Sequence, residues 1–323
     1  MIQVSAPTKL MIIGEYTVLE GGPAVVTAIN RRVRACYSPC AYDGSALKDD
    51  ASHKYPHQRP EVVLTHTLAQ QKLGANLGEL RVDMTELQQP HELKLGIGSS
   101  SAATVAVAGA AYACAGFDIG NANTKHQIFE LALAGHQAVA PQGSGADVAA
   151  AVYGETIQFQ RTEKGPTITS LRWPESLHLT AIWTQTSART SDFLHKLFAF
   201  KSQYATSYHQ CQTTLRHVSE QFITALQSIN TDALLKATQQ FTHALHDLGK
   251  AAELPILTPQ ISAICNLAND YGGAAKPSGA GGGDVCIAFF RDLASKQAFE
   301  DACRRDNFPI LAITCNVRGV ALD

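Results

Sequence analysis

The chain has 323 residues, of which 45% are hydrophobic and 17% are charged, and its formal net charge at pH 7 is −2. The length favours two domains, because single hydrophobic cores stop growing at roughly 250–300 residues. The near-neutral charge argues against nucleic acids and membrane surfaces as partners, since both usually require a basic excess.

The cysteines and the N-terminal segment predict a cytoplasmic protein. The closest cysteine pair, Cys36 and Cys40, lacks the CxxC spacing of a zinc or redox site, so we interpret the cysteines as buried or free thiols. The segment MIQVSAPTKLMIIGEY has no basic region followed by a continuous apolar run, and no signal peptide is predicted. The longest apolar stretch, around residues 102–115, is too short to span a bilayer.

The first half of the chain mixes strands and helices. Strands are predicted over KLMIIGEYTVL and AVVTAINRRVRACY, with a break at EGGP between them. Residues 38–60 are polar with three prolines and fit an exposed insertion. The remaining elements are helices over 62–74, from the GIGSSS turn to about 116 and over 124–140, and strands over ELRVDMTE and TIQFQ.

The second half is richer in helix. Apolar residues recur with the helical period over 191–252, and further helices are predicted over 258–271 and 294–305. Strands are predicted over LTAIWTQ, VCIAFF and ILAITCNV. The predicted fold class is therefore α+β in both halves, with a domain boundary near residues 170–180.

Three loops rich in small residues adjoin these elements: glycine loop 1 (GIGSSSA, 96–102), glycine loop 2 (QGSGAD, 142–147) and glycine loop 3 (KPSGAGGGD, 276–284). Glycine loop 1 precedes a helix whose first N–H groups lack intrahelical partners, which together with the helix dipole makes an anion site. Its serines can cap the helix, contact phosphate or ligate Mg²⁺, and for this loop alone a capped helix start is an equal alternative. The chain contains no Walker A motif, and glycine loop 1 lacks the third glycine of a dinucleotide fingerprint.

Charged residues lie beside all three loops. Lys9 and Glu15 bracket the first strand, Asp147 closes glycine loop 2, and Lys276 and Asp284 bracket glycine loop 3. A lysine near a carboxylate in a phosphate-binding site suits phosphoryl transfer, because the cation stabilises developing charge while the carboxylate orients the nucleophile. Each residue alone is typical of a surface ion pair, but together with the loops they favour a kinase.

At these residues the sequence resembles the GHMP kinase superfamily. Its first motif is similar to APTKLMIIGEYTVLEGGPAVVTAIN, with Thr8 where the family usually has glycine. The second motif is similar to LGIGSSSAATVAV, and the third is similar to KPSGAGGGDVCIAFF. The resemblance implies a two-domain GHMP kinase fold: an N-terminal domain over 1–175 with a left-handed βαβ crossover, and a ferredoxin-like C-terminal domain over 176–323. ATP and a small acceptor would meet in the cleft between them, in a monomer or homodimer.

The same resemblance implies roles for individual residues. Lys9 and Asp147 would be the catalytic pair that flanks the acceptor oxygen, and Ser100 would be the Mg²⁺ ligand. The residues implied for ATP are Gly96, Gly98, Ser99, Ser100 and Ser101. The residues implied for the acceptor are Glu15, Ser144, Gly145, Ser187, Arg189, Lys276, Ser278, Gly279, Gly281 and Asp284.

Within the superfamily the sequence is most similar to bacterial phosphomevalonate kinases, through KPSGAGGGD, GSGADVAAAVYGETIQF and WTQTSARTSDFL. That similarity implies phosphorylation of (R)-5-phosphomevalonate to the 5-diphosphate in the mevalonate pathway to isoprenoids. Mevalonate kinases typically carry a Mg²⁺-binding glutamate eleven residues before the catalytic aspartate, where this chain has His136. The second metal ligand is therefore unassigned, and the alternatives are a kinase of mevalonate, of another alcohol or of a sugar, or a non-catalytic ligand-binding member.

A phosphorylated acceptor would need cations to hold its phosphate more than a base to remove a proton. A phosphate monoester has a second pKa of about 6 and is already largely ionised at pH 7. Lys9, Lys94, Arg189 and Lys276 are the candidates to hold it.

Overall fold

A computed structural model describes residues 2–38, 56–74, 77–87, 95–188 and 190–323. Most of the predicted insertion over 38–60 lies outside the described residues, as do Lys94 and Arg189. Within the described part of the chain, no helix is long and apolar enough to cross a membrane.

The first sheet is built around a long antiparallel hairpin. Strands β1 and β2 pair along nearly their whole length, with Lys9 opposite Ala28, and irregularities in register fall at Pro7/Thr8 and Met11/Ile13. The sheet order is β10-β1-β2-β4-β5, with β3 also on β2. The strands are β1 (Ile2–Ile13), β2 (Ala24–Ser38), β3 (Glu79–Asp83), β4 (Thr156–Thr162), β5 (Gly165–Ser170) and β10 (Ala321–Leu322).

Four helices belong to this part of the chain: α1 (Pro60–Leu73), α2 (Ser99–Cys114), α3 (Ala122–Gln137) and α4 (Ala146–Tyr153). Helix α2 is almost wholly buried against the sheet, which its many alanines permit. A Cβ on its Gly109 would lie 2.8 Å from Val320 and 2.9 Å from Val4. Small residues thus let the second half of α2 lie close to β1 and to Val320.

The second sheet has the order β7-β8-β6-β9, with all pairs antiparallel. In chain order these are the second, third, first and fourth strands of a β-α-β-β-α-β unit, which is the ferredoxin-like arrangement. The strands are β6 (His178–Trp183), β7 (Ala274–Pro277), β8 (Val285–Phe290) and β9 (Ile310–Leu311). The helices are α5 (Thr190–Gln203), α6 (Ala205–Gln227), α7 (Thr231–Ala251), α8 (Pro259–Asp270) and α9 (Leu293–Arg305).

Strand β1 is buried on both faces and joins the two halves. Because successive residues of a strand point to opposite faces, Met11 packs in the core under α2, whereas Leu10 and Ile12 pack in a core that includes Phe222 and Phe289 of the second half. The catalytic candidates on β1 therefore lie where both halves meet.

The predicted two-domain α+β fold is confirmed, with two local differences. The first strand was predicted through KLMIIGEYTVL, but β1 ends at Ile13 and Thr17–Glu20 forms a 3₁₀ turn. The last strand was predicted over ILAITCNV, but β9 covers only Ile310–Leu311. The chain then returns to the first sheet, where Cys315 bridges Ile29 and β10 pairs with β1.

Candidate active site

The predicted catalytic pair lies between β1 and the start of α4. Lys9 is 5% exposed, and its Nζ lies 3.6 Å from Oδ2 of Asp147, whose side chain is about one-third exposed. Asp147 is in the first turn of α4, which begins after Gly145 at φ 88°. Two residues separated by most of the first half are thus brought together, with the carboxylate open to solvent and the lysine held beneath it.

Glycine loop 1 lies directly over this pair. The Lys9 N–H donates to the carbonyl of Ile97 at 2.9 Å, which fixes the loop to β1. Gly98 has φ 81°, and a Cβ there would lie 3.2 Å from Cγ and Cε of Lys9 and 3.6 Å from Asp147 Oδ2. A larger residue at 98 would therefore press on Lys9 and Asp147.

The start of α2 is left open. Its N-terminal residue Gly98 provides no side chain, and no side chain caps the helix. The first-turn N–H groups and the positive end of the helix dipole can therefore receive an anion such as a phosphate.

The three serines of glycine loop 1 face different ways. Ser99 and Ser100 are half-buried, and the Ser100 hydroxyl donates to Oε1 of Glu61 at 3.0 Å. Ser101 is 1% exposed, and its hydroxyl has no hydrogen-bond partner among the described residues. Ser101 was predicted to bind ATP, but it faces the core because it lies on the buried side of α2.

Glycine loop 2 lies against His136 near the end of α3. A Cβ on Gly143 would lie 3.6 Å from Cε1 of His136. The His136 Nδ1 is buried and unpartnered within the described part of the chain. In the same loop Ser144 Oγ accepts a hydrogen bond from the Ala146 N–H at 3.2 Å, which shapes the turn into α4.

Glycine loop 3 is fastened to β1 and to the turn after it. Lys276 is fully buried, its Nζ contacts Oε1 of Glu15 and donates to the Pro277 carbonyl at 2.6 Å, and the Gly279 N–H donates to the same Glu15 oxygen at 3.2 Å. Burial lowers the pKa of Lys276, and the adjacent Glu15 carboxylate opposes that shift. The other Glu15 oxygen, Oε2, is buried with no partner among the described residues.

A serine completes this attachment. Ser278 Oγ accepts a hydrogen bond from the Met11 N–H at 2.9 Å and donates to the Met11 carbonyl at 3.1 Å. Glu15, Lys276 and Ser278 were predicted to contact the acceptor, but in this structure the Lys276 ammonium, the Ser278 hydroxyl and Glu15 Oε1 are bonded inside the protein. They orient glycine loop 3 against β1.

The end of glycine loop 3 contacts glycine loop 1 through Asp284. A Cβ on Gly96 would lie 2.4 Å from the Asp284 side chain. Asp284 has φ 58°, its N–H donates to the Thr186 carbonyl at 2.7 Å, and its Oδ1 accepts from the Ala188 N–H at 3.3 Å. The exposed Ser187 lies between those two residues, at the edge of the same group.

The remaining glycines of this loop differ in their surroundings. Gly279 has φ 119°, and no described residue lies within 4 Å of a Cβ built there, so the space beside its Cα is open on the described side. At Gly281, φ is 76° and a Cβ would lie 2.4 Å from the Ile256 carbonyl oxygen. Gly281 therefore serves close packing, whereas Gly279 leaves room for a ligand.

Sequence reasoning missed Glu61 and Arg59 at the start of α1. Glu61 is 5% exposed, accepts from Ser100 and forms an ion pair with Arg59 Nε at 2.9 Å. The available signal was a proline followed by a glutamate at a helix start, but that pattern is ordinary for any helix. Only the packing of α1 beside α2, which brings Glu61 to Ser100, distinguishes this glutamate from others at helix starts.

Among the described residues, no group of three or more His, Cys, Asp and Glu side chains could hold a metal ion. A divalent cation here would share its coordination with a bound phosphate, as Mg²⁺ usually does. The site therefore offers an uncapped helix start, a lysine beside a carboxylate, and a serine hydroxyl in the first turn of α2.

Known proteins of one family are similar to this chain. The family models for the GHMP kinases N terminal domain and the GHMP kinases C terminal match residues 63–155 and 222–310. The phosphomevalonate kinase of Streptomyces sp. (strain CL190) is 29% identical over 90% of each chain, and that of Saccharolobus solfataricus is 26% identical over 91% of each. The structure of Streptococcus pneumoniae phosphomevalonate kinase in complex with phosphomevalonate and AMPPNP covers 98% of this chain and 100% of that one, with 21% identity and a TM-score of 0.79.

Proposed function

The chain belongs to the GHMP kinase family, and from that premise we propose that it transfers the γ-phosphoryl group of ATP to the phosphate of (R)-5-phosphomevalonate. A phosphate oxygen of the acceptor bonds to the γ-phosphorus while the bond from that phosphorus to the β,γ-bridging oxygen breaks, giving the 5-diphosphate and ADP. The observation that carries the proposal is the Lys9–Asp147 pair, 3.6 Å apart beneath Gly98 at the uncapped start of α2. Two relatives that match nine-tenths of the chain are phosphomevalonate kinases.

On the nucleotide side, the backbone of Gly96 and Gly98 and the first N–H groups of α2 bind the ATP phosphates, with Ser99 and Ser100 beside them. Mg²⁺, when bound, neutralises charge on the β- and γ-phosphates. The residues fit such a cation, because the Ser100 hydroxyl donates a hydrogen bond to Glu61 and keeps its lone pairs available.

On the acceptor side, Lys9 supplies the cation closest to the transferred group. Its buried position beside Asp147 concentrates the attraction for a phosphate oxygen, since charges interact more strongly away from bulk water. Gly145 and Ser144 shape the turn that presents Asp147, the open backbone at Gly279 and the exposed Ser187 border the space, and Arg189 lies outside the described residues. Glu15, Lys276, Ser278 and Asp284 act as positioning residues for glycine loop 3.

We further propose that the domains meet between residues 175 and 176, as β5 of the first sheet ends at Ser170 and β6 of the second begins at His178. Cytoplasmic location and a monomeric or homodimeric state remain predictions.

An acceptor panel tests the reaction. ADP release is measured with phosphomevalonate, mevalonate and galactose, each at the same ATP and Mg²⁺ concentrations, and turnover is expected with phosphomevalonate alone. Turnover of mevalonate instead would replace this proposal with a mevalonate kinase, a role that His136 in place of a glutamate disfavours.

The Asp147→Asn variant separates the same alternatives. Removing a general base typically costs about 10²–10⁴ in rate. An ionised phosphate acceptor needs no deprotonation, so we expect a loss below about 10²-fold with phosphomevalonate. A larger loss would indicate an alcohol acceptor.

A further inference from the structure

We propose that Glu61 is a positioning residue that orients the Ser100 hydroxyl toward the metal ion of the ATP complex. The inference rests on the proposed function, because it concerns the metal that accompanies ATP. It gives a role to a carboxylate that none of the three sequence motifs contains.

The first argument is the burial of Glu61. The residue is in the first turn of α1 but only 5% exposed, and burying a carboxylate is costly unless it is paired. An acidic residue placed only to complement the helix dipole would gain the same benefit in water. The burial therefore indicates a specific partner.

The second argument is the geometry of the partner. Glu61 Oε1 accepts from the Ser100 hydroxyl at 3.0 Å and lies 2.9 Å from Arg59 Nε. A serine hydroxyl has one proton and two lone pairs, and a cation can bind only the lone pairs. Because the hydroxyl hydrogen points to Glu61, the lone pairs are held in a fixed direction, and Arg59 holds Glu61 in turn.

The third argument is the choice of carboxylate: Asp147 and Asp284 also lie against glycine loop 1, but the Ser100 hydroxyl donates to Glu61. Among the described residues, Glu61 is the carboxylate that hydrogen-bonds a hydroxyl of glycine loop 1. Partners that orient a metal ligand typically change metal affinity by about 10–100-fold when they are removed.

The test measures metal binding in the absence of any acceptor. Mn²⁺ replaces Mg²⁺, and free Mn²⁺ is followed by electron paramagnetic resonance as it binds the full chain with AMPPNP present. For Glu61→Gln, which keeps the shape but removes the charge, we expect Mn²⁺ affinity to fall about tenfold, and for Glu61→Ala somewhat more. Affinity for AMPPNP in EDTA should stay within about twofold of the unmodified chain, and excess Mg²⁺ should restore turnover.

The matched control is Glu300→Gln in α9. Glu300 is also buried, accepts a hydroxyl hydrogen bond from Thr180 at 2.7 Å and is ion-paired with Lys296. This variant should lose thermal stability without any change in Mn²⁺ affinity, so it accounts for the general effect of neutralising a buried glutamate.

Two results would overturn this inference while leaving the proposed function intact. One is unchanged Mn²⁺ affinity in folded Glu61→Gln. The other is an equal loss of AMPPNP affinity with and without metal, which would make Glu61 a nucleotide contact. If the unmodified chain binds no AMPPNP at all, the proposed function fails and this inference fails with it.

Discussion

Glycine loops 1 and 3 are both rich in small residues and both adjoin β1, yet they differ in whether their polar groups have hydrogen-bond partners inside the protein. Glycine loop 1 ends in an uncapped helix start with two half-buried serines. In glycine loop 3, the lysine, the serine and a backbone N–H are all bonded to Glu15 or to Met11. Glycine loop 1 therefore keeps backbone N–H donors available at the start of α2, whereas glycine loop 3 uses its donors in hydrogen bonds within the protein.

We interpret this difference as a division of roles, in which glycine loop 1 binds a ligand and glycine loop 3 supports the fold. A loop that receives phosphate must leave N–H groups without protein partners until the ligand arrives. A loop that forms the wall of a cleft between two halves needs satisfied groups, because each buried unpaired polar atom destabilises the fold. Substitutions in glycine loop 3 should therefore change stability first, and those in glycine loop 1 should change nucleotide binding first.

The largest effect is expected from Lys276→Ala. Removing the ammonium leaves the Glu15 carboxylate buried without its cation, and breaking a buried pair from one side typically costs about 3–5 kcal/mol. The free energy of unfolding, measured by urea titration, should fall by that amount.

The control for this prediction removes both charges. A double variant, Lys276→Met with Glu15→Gln, should recover at least half of the lost stability, because no charge is then stranded. A single variant as stable as the unmodified chain would show that the Lys276–Glu15 pair does not fasten glycine loop 3.

The next effect is expected from Gly98→Ala, which tests glycine loop 1. The φ of 81° costs a non-glycine residue about 1–2 kcal/mol, and the new Cβ would lie 3.2 Å from Lys9 Cε. Because the methyl group also enters the space above the Lys9–Asp147 pair, AMPPNP affinity measured by calorimetry should fall at least about tenfold, equivalent to about 1.4 kcal/mol.

Gly74→Ala provides the matched control. Gly74 has φ 59° at the end of α1, and among the residues that the structure describes none lies within 4 Å of a Cβ built there. This variant should show the backbone cost in urea titration but bind AMPPNP as the unmodified chain does. Equal losses of affinity in both variants would contradict a phosphate-binding role for glycine loop 1.

The sequence predicted where the three glycine loops lie better than it predicted what their residues do. The glycine patterns predicted all three loops, and motif order led to the Lys9–Asp147 pair that the structure brings together. The burial of Lys276 could not be predicted, because its partner Glu15 is 261 positions away and a lysine in a glycine loop usually lies at the surface. Glu61 was missed for a similar reason, since its role depends on how α1 packs beside α2.

Two further differences have local causes. The orientation of Ser101 depends on which side of α2 faces the sheet, and a helix that is apolar on all sides gives little indication of that. The return of residues 315–322 to the first sheet depends on pairing with β1 and β2, near the other end of the chain. Sequence periodicity reports local conformation and does not reveal such distant partners.

A weaker attachment between the halves lies at Glu20, at the end of the 3₁₀ turn after β1. Its Oε1 accepts from Lys201 Nζ at 2.7 Å and from the Tyr208 hydroxyl at 2.9 Å, which links the turn to α5 and α6. Partial burial by itself would raise the pKa of Glu20, but the hydrogen bonds from Lys201 and Tyr208 outweigh it and the pKa is lowered.

The smallest effect is therefore expected from Glu20→Gln, about 1 kcal/mol at pH 7, because the pair is partly exposed. A carboxyl group whose pKa is lowered by folding stabilises the protein fully above its unfolded pKa of about 4.3, and this contribution disappears as the pH falls through the lower folded value. Urea titrations at pH 7 and about pH 3 should show the difference between the unmodified chain and the variant shrinking toward zero at the lower pH. Glu163→Gln, at an exposed position in the β4–β5 turn, is the control and should show no difference at either pH. A Glu20→Gln difference that is the same at both pH values would mean that Glu20 acts through packing, so that glycine loop 3 would be the main charged attachment between the two halves.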